Sequence, residues 1–304
     1  MVHTAQRQFR PLSELNLIDN FLFHEMLADK ENGEEFCRIL LKTILNKEVR
    51  HVKITAQKNI LGPDTDNHGI RMDAYLEEVA DCDAIDADIS PDIYDIEPNL
   101  TYEIDTLPKR MRYYHALIDA GLLRIGETYD KLPNVVVIFI LPYDPFGQDR
   151  CVYTIQNMIK EDPSIKYNDG ALKMILYTKG KAGNPRKELL EMLKYFEKST
   201  TDNVTNPDIE CVHHMVDRIK ERKELNLEYM KSWEWDDYNK KLGREEGLKE
   251  GLKKANKERE NAIRILISSL KKYNATEQNI INELMSNFSL SHAESQDFLD
   301  KYSK

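Results

Sequence analysis

Val135-Val136-Val137-Ile138-Phe139-Ile140-Leu141 is the stretch on which the fold turns. It is continuous, rich in β-branched residues, and closed by Pro133 before it and Pro142 after it. A run with no polar face predicts a central strand buried on both sides. It is too short to cross a bilayer, which takes roughly 20 residues in a helix.

Working outward from that strand, residues 107–121 predict a helix, with Thr106 as its N-cap and Pro108 in its first turn. Ahead of it the period falls to two. Val52 and Ile54 alternate with Lys53 and Thr55, and Ile70, Met72, Ala74 and Leu76 alternate with Arg71, Asp73, Tyr75 and Glu77. Residues 92–99 resume the extended pattern after an Asp-rich loop, so the two segments predict a hairpin. Residues 15–46 predict two helices broken at Asn32-Gly33. Past the central strand, residues 152–155 and 172–177 predict further strands, and 186–198 a helix. This order gives a mixed α/β domain over residues 1–198, with a helix crossing between strands. A polar linker follows at 199–207, then an all-helical C-terminal region at 208–304.

Charge is unevenly placed. The chain of 304 residues carries a net charge of −10, yet twelve Asp and Glu and no Lys or Arg fall between Met72 and Pro108. Without those twelve, 41 acidic residues face 43 basic ones. The overall balance disfavours a nonspecific basic coat for nucleic acid but leaves room for local basic patches. Cys37, Cys82, Cys151 and Cys211 form no CxxC pair, which points to reduced thiols in a cytoplasm. The polar N-terminus shows no apolar signal region.

The acidic segment contains a pattern with chemistry in it. Alternation places Asp73 on one face of its strand, and Asp95, Glu97 and Asn99 on one face of the next. If the strands pair, Asp73 and Glu97 project from the same side of the sheet. Carboxylates held together repel unless a cation lies between them, and hard oxygen ligands suit Mg²⁺ or Mn²⁺. From spacing alone, a solvated acidic edge is the commoner reading of such a hairpin. The loop Asp81 to Asp88 lacks the glycine and terminal Glu spacing of a calcium loop, and His213-His214 lacks partners for zinc.

Several separated motifs, in order, resemble the PD-(D/E)XK nuclease family transposases, also called recombination-promoting nucleases. They are His68-Gly69-Ile70-Arg71-Met72-Asp73-Ala74-Tyr75-Leu76, Ile93-Tyr94-Asp95-Ile96-Glu97-Pro98-Asn99 and Leu107-Pro108-Lys109-Arg110-Met111-Arg112-Tyr113-Tyr114-His115. Tyr143-Asp144-Pro145-Phe146 and Tyr177-Thr178-Lys179-Gly180 continue the match, which covers most of residues 12–255. The resemblance implies a restriction-endonuclease-like mixed-sheet core with flanking helices. It implies a metal-dependent DNA endonuclease serving DNA recombination or mobile-element biology, with Asp73 and Glu97 holding Mg²⁺ or Mn²⁺ and the Pro98 carbonyl free to join them. The broad superfamily has Lys two residues after the Glu, and this branch often has Gln; here Asn99 stands there. An amide cannot act as a base near neutral pH and can only orient water or phosphate. A catalytically weakened fold that binds DNA or protein is therefore the alternative.

Lys109, Arg110 and Tyr114 begin the helix after the acidic segment, with Arg110 and Tyr114 on one face, and are candidates for phosphate contact. Lys179 and Lys181 form a second candidate in a Gly- and Pro-rich loop. Asp19 is open between a site role and a capping role, and His115 reads as a packing residue. Trp233 and Trp235 read as packing anchors of the helical region. In that region Gly243, Gly247 and Gly251 repeat every four residues on a charged helix, and a homodimer through it is expected. No GxxxxGK[ST], HExxH or GxSxG occurs, so nucleotide-phosphate, zincin and α/β-hydrolase chemistry lose their main support; no nucleotide cofactor and no membrane partner are expected.

Overall fold

A computed structural model describes residues 9–60, 69–78, 92–123 and 126–302. His68, Cys82 and the Asp81 to Asp88 loop lie outside them. Two helices open the fold, α1 (Asn20–Ala28) and α2 (Gly33–Leu45). Strands β1 (Val52–Ile60), β2 (Ile70–Glu78) and β3 (Ile93–Pro98) form an antiparallel meander that contains the expected hairpin of β2 and β3. Helix α3 (Leu107–Leu122) then crosses to β4 (Val135–Leu141), which lies parallel to β3. Strands β5 (Val152–Gln156) and β6 (Ala171–Tyr177) complete a six-stranded mixed sheet in the order β1-β2-β3-β4-β6-β5.

The sheet is covered on both faces because β4 and β3 demand it: every residue of each is buried. One core packs α1, α2, α4 (Lys187–Glu197) and α5 (Pro207–Glu221) on Tyr94, Ile96, Val136, Ile138 and Ile140. The second packs α3, through Leu107, Met111, Tyr114 and Ile118, on Ile93, Val137, Phe139 and Leu141. Thr106 does not cap α3 as expected. Its backbone is already helical, and its hydroxyl donates to the Glu103 carbonyl instead.

In β2 the even-numbered side chains divide: Ala74 and Leu76 join the first core, Ile70 and Met72 the second. In β1, Ile54 and Ala56 pack on the first core and Ile60 on the second. Both strands change allegiance at the same level, where Gln57 has φ +52° and the register brings it opposite Asp73. A left-handed residue in a strand turns its neighbours and costs about 1 kcal/mol or more for a residue other than glycine.

The stretch 199–207 is a built corner. Ser199 is buried; its hydroxyl donates to the Tyr195 carbonyl and accepts the Leu17 amide, each at 2.9 Å. Helix α5 beyond it buries Ile209, Val212, Met215, Val216 and Ile219 in the first core. The chain divides into compact units later, at Met1–Met230 and Lys231–Lys304.

Helix α6 (Lys223–Lys272) runs without a break across that division. The second unit contains its C-terminal part, α7 (Glu277–Phe288) and α8 (His292–Tyr302), joined by a small core of Ile263, Ile267, Ile280, Ile281, Leu284 and Leu299. Thr276 caps α7, and Ser291 and Glu294 bond reciprocally ahead of α8, as expected of a capping box. Trp235 corrects its reading as an anchor: it is 66% exposed and stacks only on Tyr238 of its own helix among the ring contacts described. Among the described residues no helix is long and apolar enough to cross a membrane.

Candidate functional site

The site begins where the β2–β3 ladder ends. Tyr75 pairs with Asp95 and Ala74 with Ile96, so Asp73 and Glu97 come level one step on. There the Glu97 carboxylate takes the place of a backbone partner: its Oε1 accepts the Asp73 amide at 2.6 Å. Alternation along β3 turns Asp95, Glu97 and Asn99 towards α3, the side on which Val137 and Phe139 of β4 lie. The period-two pattern predicts Asp73 on the side of Glu97; the alternation of β2 breaks at Asp73, between Met72 of the second core and Ala74 of the first, and the Asp73 charge reaches both Asp95 and Glu97.

Burial makes this group unusual. Asp95 is fully buried, and neither carboxylate oxygen has a hydrogen-bond partner. Glu97 is 2% exposed. Burial pushes the Asp95 carboxyl well above the ordinary range, and the Asp73 charge adds to it. Glu97 is pushed well up by burial, then by Asp95 and Asp73. Asp73 is pushed up to about 6 by burial, against the pull of His24, Arg110 and Arg71. With both ionised, Asp95 and Glu97 have no donor to share; a proton carried by one would make the hydrogen bond their contact allows.

Arg110 of α3 is the cation set against them. Its Nη2 lies 3.7 Å from Glu97 Oε2 and donates to the Tyr114 hydroxyl at 3.1 Å, while Nη1 lies 3.3 Å from Glu103 Oε2. Its guanidinium also sits 5.2 Å from the Phe139 ring centre and 5.3 Å from that of Tyr114. Beyond it opens a cleft of about 900 Å³ whose cations are Arg71, Lys109, Arg110 and Arg112, with Glu103 and Tyr114 also on its wall. Asp73, Asp95 and Glu97 do not themselves line that cleft; Arg110, 3.7 Å from Glu97, is the residue that links them to its four basic side chains.

Asn99 is 7% exposed at the carboxyl end of the parallel strands. Its Oδ1 accepts the Thr101 amide at 3.0 Å, and its Nδ2 is buried without a partner. Pro98 is the last residue of β3 and stands in register with Ile140.

Asp73, Glu97, Asn99, Lys109, Arg110 and Tyr114 therefore belong to one neighbourhood. Lys179 and Lys181 do not line the cleft. Lys179 pairs with Glu197 of α4 at 3.6 Å, and the Lys181 amide bonds the Asp149 carbonyl, beyond β6 and two strands from β3. Asp19 accepts the Asn16 amide and pairs with Arg10, a turn-closing role. His115 is buried on α3, its ring pushed down to about 4 by burial, in keeping with packing. His213 hydrogen-bonds Tyr195. Asp95 is the residue that motif reading passed over, although its place two residues before Glu97 put it on the same face.

Carboxylate oxygens are the donors Mg²⁺ and Mn²⁺ take, and the orphaned oxygens of Asp95 lie among them. Among the described residues no three His, Cys, Asp or Glu side chains converge as a ready cage. Mg²⁺ commonly takes one or two carboxylates and keeps its waters, so the donor set fits without one. No protein-family model, no curated protein and no solved structure matches the chain.

Proposed function

We propose that the chain is a Mg²⁺- or Mn²⁺-dependent DNA endonuclease with a restriction-endonuclease-like core, acting in the cytoplasm in DNA recombination or mobile-element biology. The observation that carries the reading is the group of buried Asp95 and Glu97 with half-buried Asp73, linked through Arg110 to a cationic cleft. Buried like charges are costly and are kept where they hold something. The motif resemblance supports the same reading independently.

Asp73 and Glu97 would hold the ion, which when bound polarises a phosphoryl oxygen and lowers the pKa of a water. Lys109 and Arg110, which line the cleft, would meet a phosphate there. The free Nδ2 of Asn99 can donate to water or phosphate oxygen but takes no proton. Supercoiled DNA incubated with Mg²⁺, with Mn²⁺ and with EDTA tests the reading. Wild type nicks only with the metal, and Asp73→Ala and Glu97→Ala abolish nicking. Equal background nicking by wild type and Asp73→Ala sinks it.

Asn99 favours a second reading, a weakened nuclease fold that binds DNA. Its Oδ1 is already committed to the Thr101 amide, and the third position carries no charge. Metal-dependent DNA binding without cleavage across varied substrates is the result that reading expects. Cleavage that disappears in Glu97→Ala removes it.

A further inference from the structure

We infer that α6 pairs antiparallel with the α6 of a second copy of this chain, about a two-fold axis level with Gly247. The pairing stands independently of the carboxylate site.

Among the described residues nothing packs on one face of the helix. Residues 238–259 are exposed without exception. Trp235 is 66% exposed, Leu248 67% and Leu252 57%. At roughly 100° per residue, Trp235, Tyr238, Leu242, Leu248 and Leu252 fall within a sector of about 140°. Ile263 and Ile267, buried under α7 and α8, fall within the same sector. One stripe thus runs along the helix, covered by the chain itself at its C-terminal end and bare before it. Gly243, Gly247 and Gly251 lie off the stripe, each costing the helix roughly 1 kcal/mol, and a bare helix of this composition is marginal in water.

Charge selects the occupant. Spaced three and four apart, the stripe reads Trp235, Tyr238, Leu242, Glu245, Lys249, Leu252, Asn256 and Arg259. A parallel partner in register would set Glu245 on Glu245 and Lys249 on Lys249, two repulsive layers at the seam. Reversing the partner about Gly247 changes every layer. Glu245 meets Lys249 of the second copy, and Lys249 its Glu245. Leu242 meets Leu252, Tyr238 meets Asn256, and Trp235 meets Arg259, a ring against a guanidinium. Leu248 meets its own copy beside the axis. Glu246 also meets its own copy on the other flank, a solvent-screened cost that the layers outweigh.

Sedimentation of the full chain and cysteine cross-linking test the pairing. Wild type sediments as a dimer. Glu245→Lys and Lys249→Glu each weaken it by roughly tenfold, since each turns both symmetry-related pairs repulsive. An equimolar mixture of the two variants dimerises again. Oxidation joins a Leu242→Cys chain to a Leu252→Cys chain, above the background of the native cysteines, and does not join Leu242→Cys to itself. Should a charge variant lose helicity by circular dichroism, the cysteine pair decides. A monomeric wild type, folded charge variants that dimerise as tightly as wild type, or Leu242→Cys cross-linking to itself overturns the inference.

Discussion

Replacing Asp73 by Asn should stabilise the metal-free protein above pH 6 and weaken its response to Mg²⁺. The sign follows from proton linkage. Asp73 is held at about 6 against an ordinary 3.8, so between those values the folded chain binds more protons than the unfolded one. Stability is therefore fully present below pH 4 and lost as pH rises through 6. At about 1.4 kcal/mol per pH unit, the loss is at most about 3 kcal/mol. Asp73 retains some solvent contact, and screening reduces the figure to about 1–2 kcal/mol. For a unit of this size that is about 3–6 °C in melting temperature. Melts of wild type and Asp73→Asn from pH 4 to 8.5, in EDTA and in Mg²⁺, measure it. The variant should melt higher at pH 8 in EDTA and like wild type at pH 4, and Mg²⁺ should raise wild type more. A variant less stable than wild type at pH 8 in EDTA would show that the carboxylate is already satisfied. Equal Mg²⁺ responses would remove Asp73 as a ligand.

Three further outcomes follow from the same contacts. Arg110→Met, which keeps bulk and removes the charge beside Glu97, should cost about 2–3 kcal/mol at pH 8; chemical denaturation should show a smaller cost as pH falls and the raised carboxyls take up protons, and a pH-independent cost would mean that Arg110 acts by packing on Phe139 and Tyr114. Ser199→Ala strands the Leu17 amide and should cost about 1–3 kcal/mol in a urea titration; a change below about 0.5 kcal/mol would mean the corner at 199–207 is not structural. Gly180→Ala places a Cβ 2.6 Å from the Cys151 amide nitrogen; the backbone there must shift, so the melting temperature should fall by several degrees, and an unchanged melt would remove the close approach.

The period-two pattern was enough to pair β2 with β3 and to bring Asp73 level with Glu97, but it gave no sign that the alternation of β2 breaks at Asp73. The β4 run announced its burial by having no polar face. What alternation could not convey was that α3 covers the carboxylate side. An Asp at 95 reads in sequence like any solvent-facing acid, and only the seating of Met111 and Tyr114 over Val137 and Phe139 makes it an orphan. The stretch 199–207 misled for the converse reason. Its composition is that of a linker, and its bonds run to residues nearly two hundred positions away, Leu17 and Asn16. Thr106 likewise carried a capping residue's identity without its conformation. Local chemistry sets what a residue can bond, whereas long-range packing sets what is there to be bonded.

That distinction bears on Asn99. A lysine at this position would bring a positive charge to the end of β3, beside Glu97. With an amide there, Arg110 is left as the ion-paired cation of the group, and it is divided among Glu97, Glu103 and Tyr114. Asp73, Asp95 and Glu97 cannot all be ionised in that setting at low cost, so near neutral pH the excess charge must be met by protons or by a divalent cation. Protons and Mg²⁺ then compete for the same oxygens, and Mg²⁺ affinity should strengthen as pH rises from 5 to 8, with proton release on binding. Calorimetry in two buffers of different ionisation enthalpy reads that release directly. Mg²⁺ binding without proton release would place the ion away from these carboxylates.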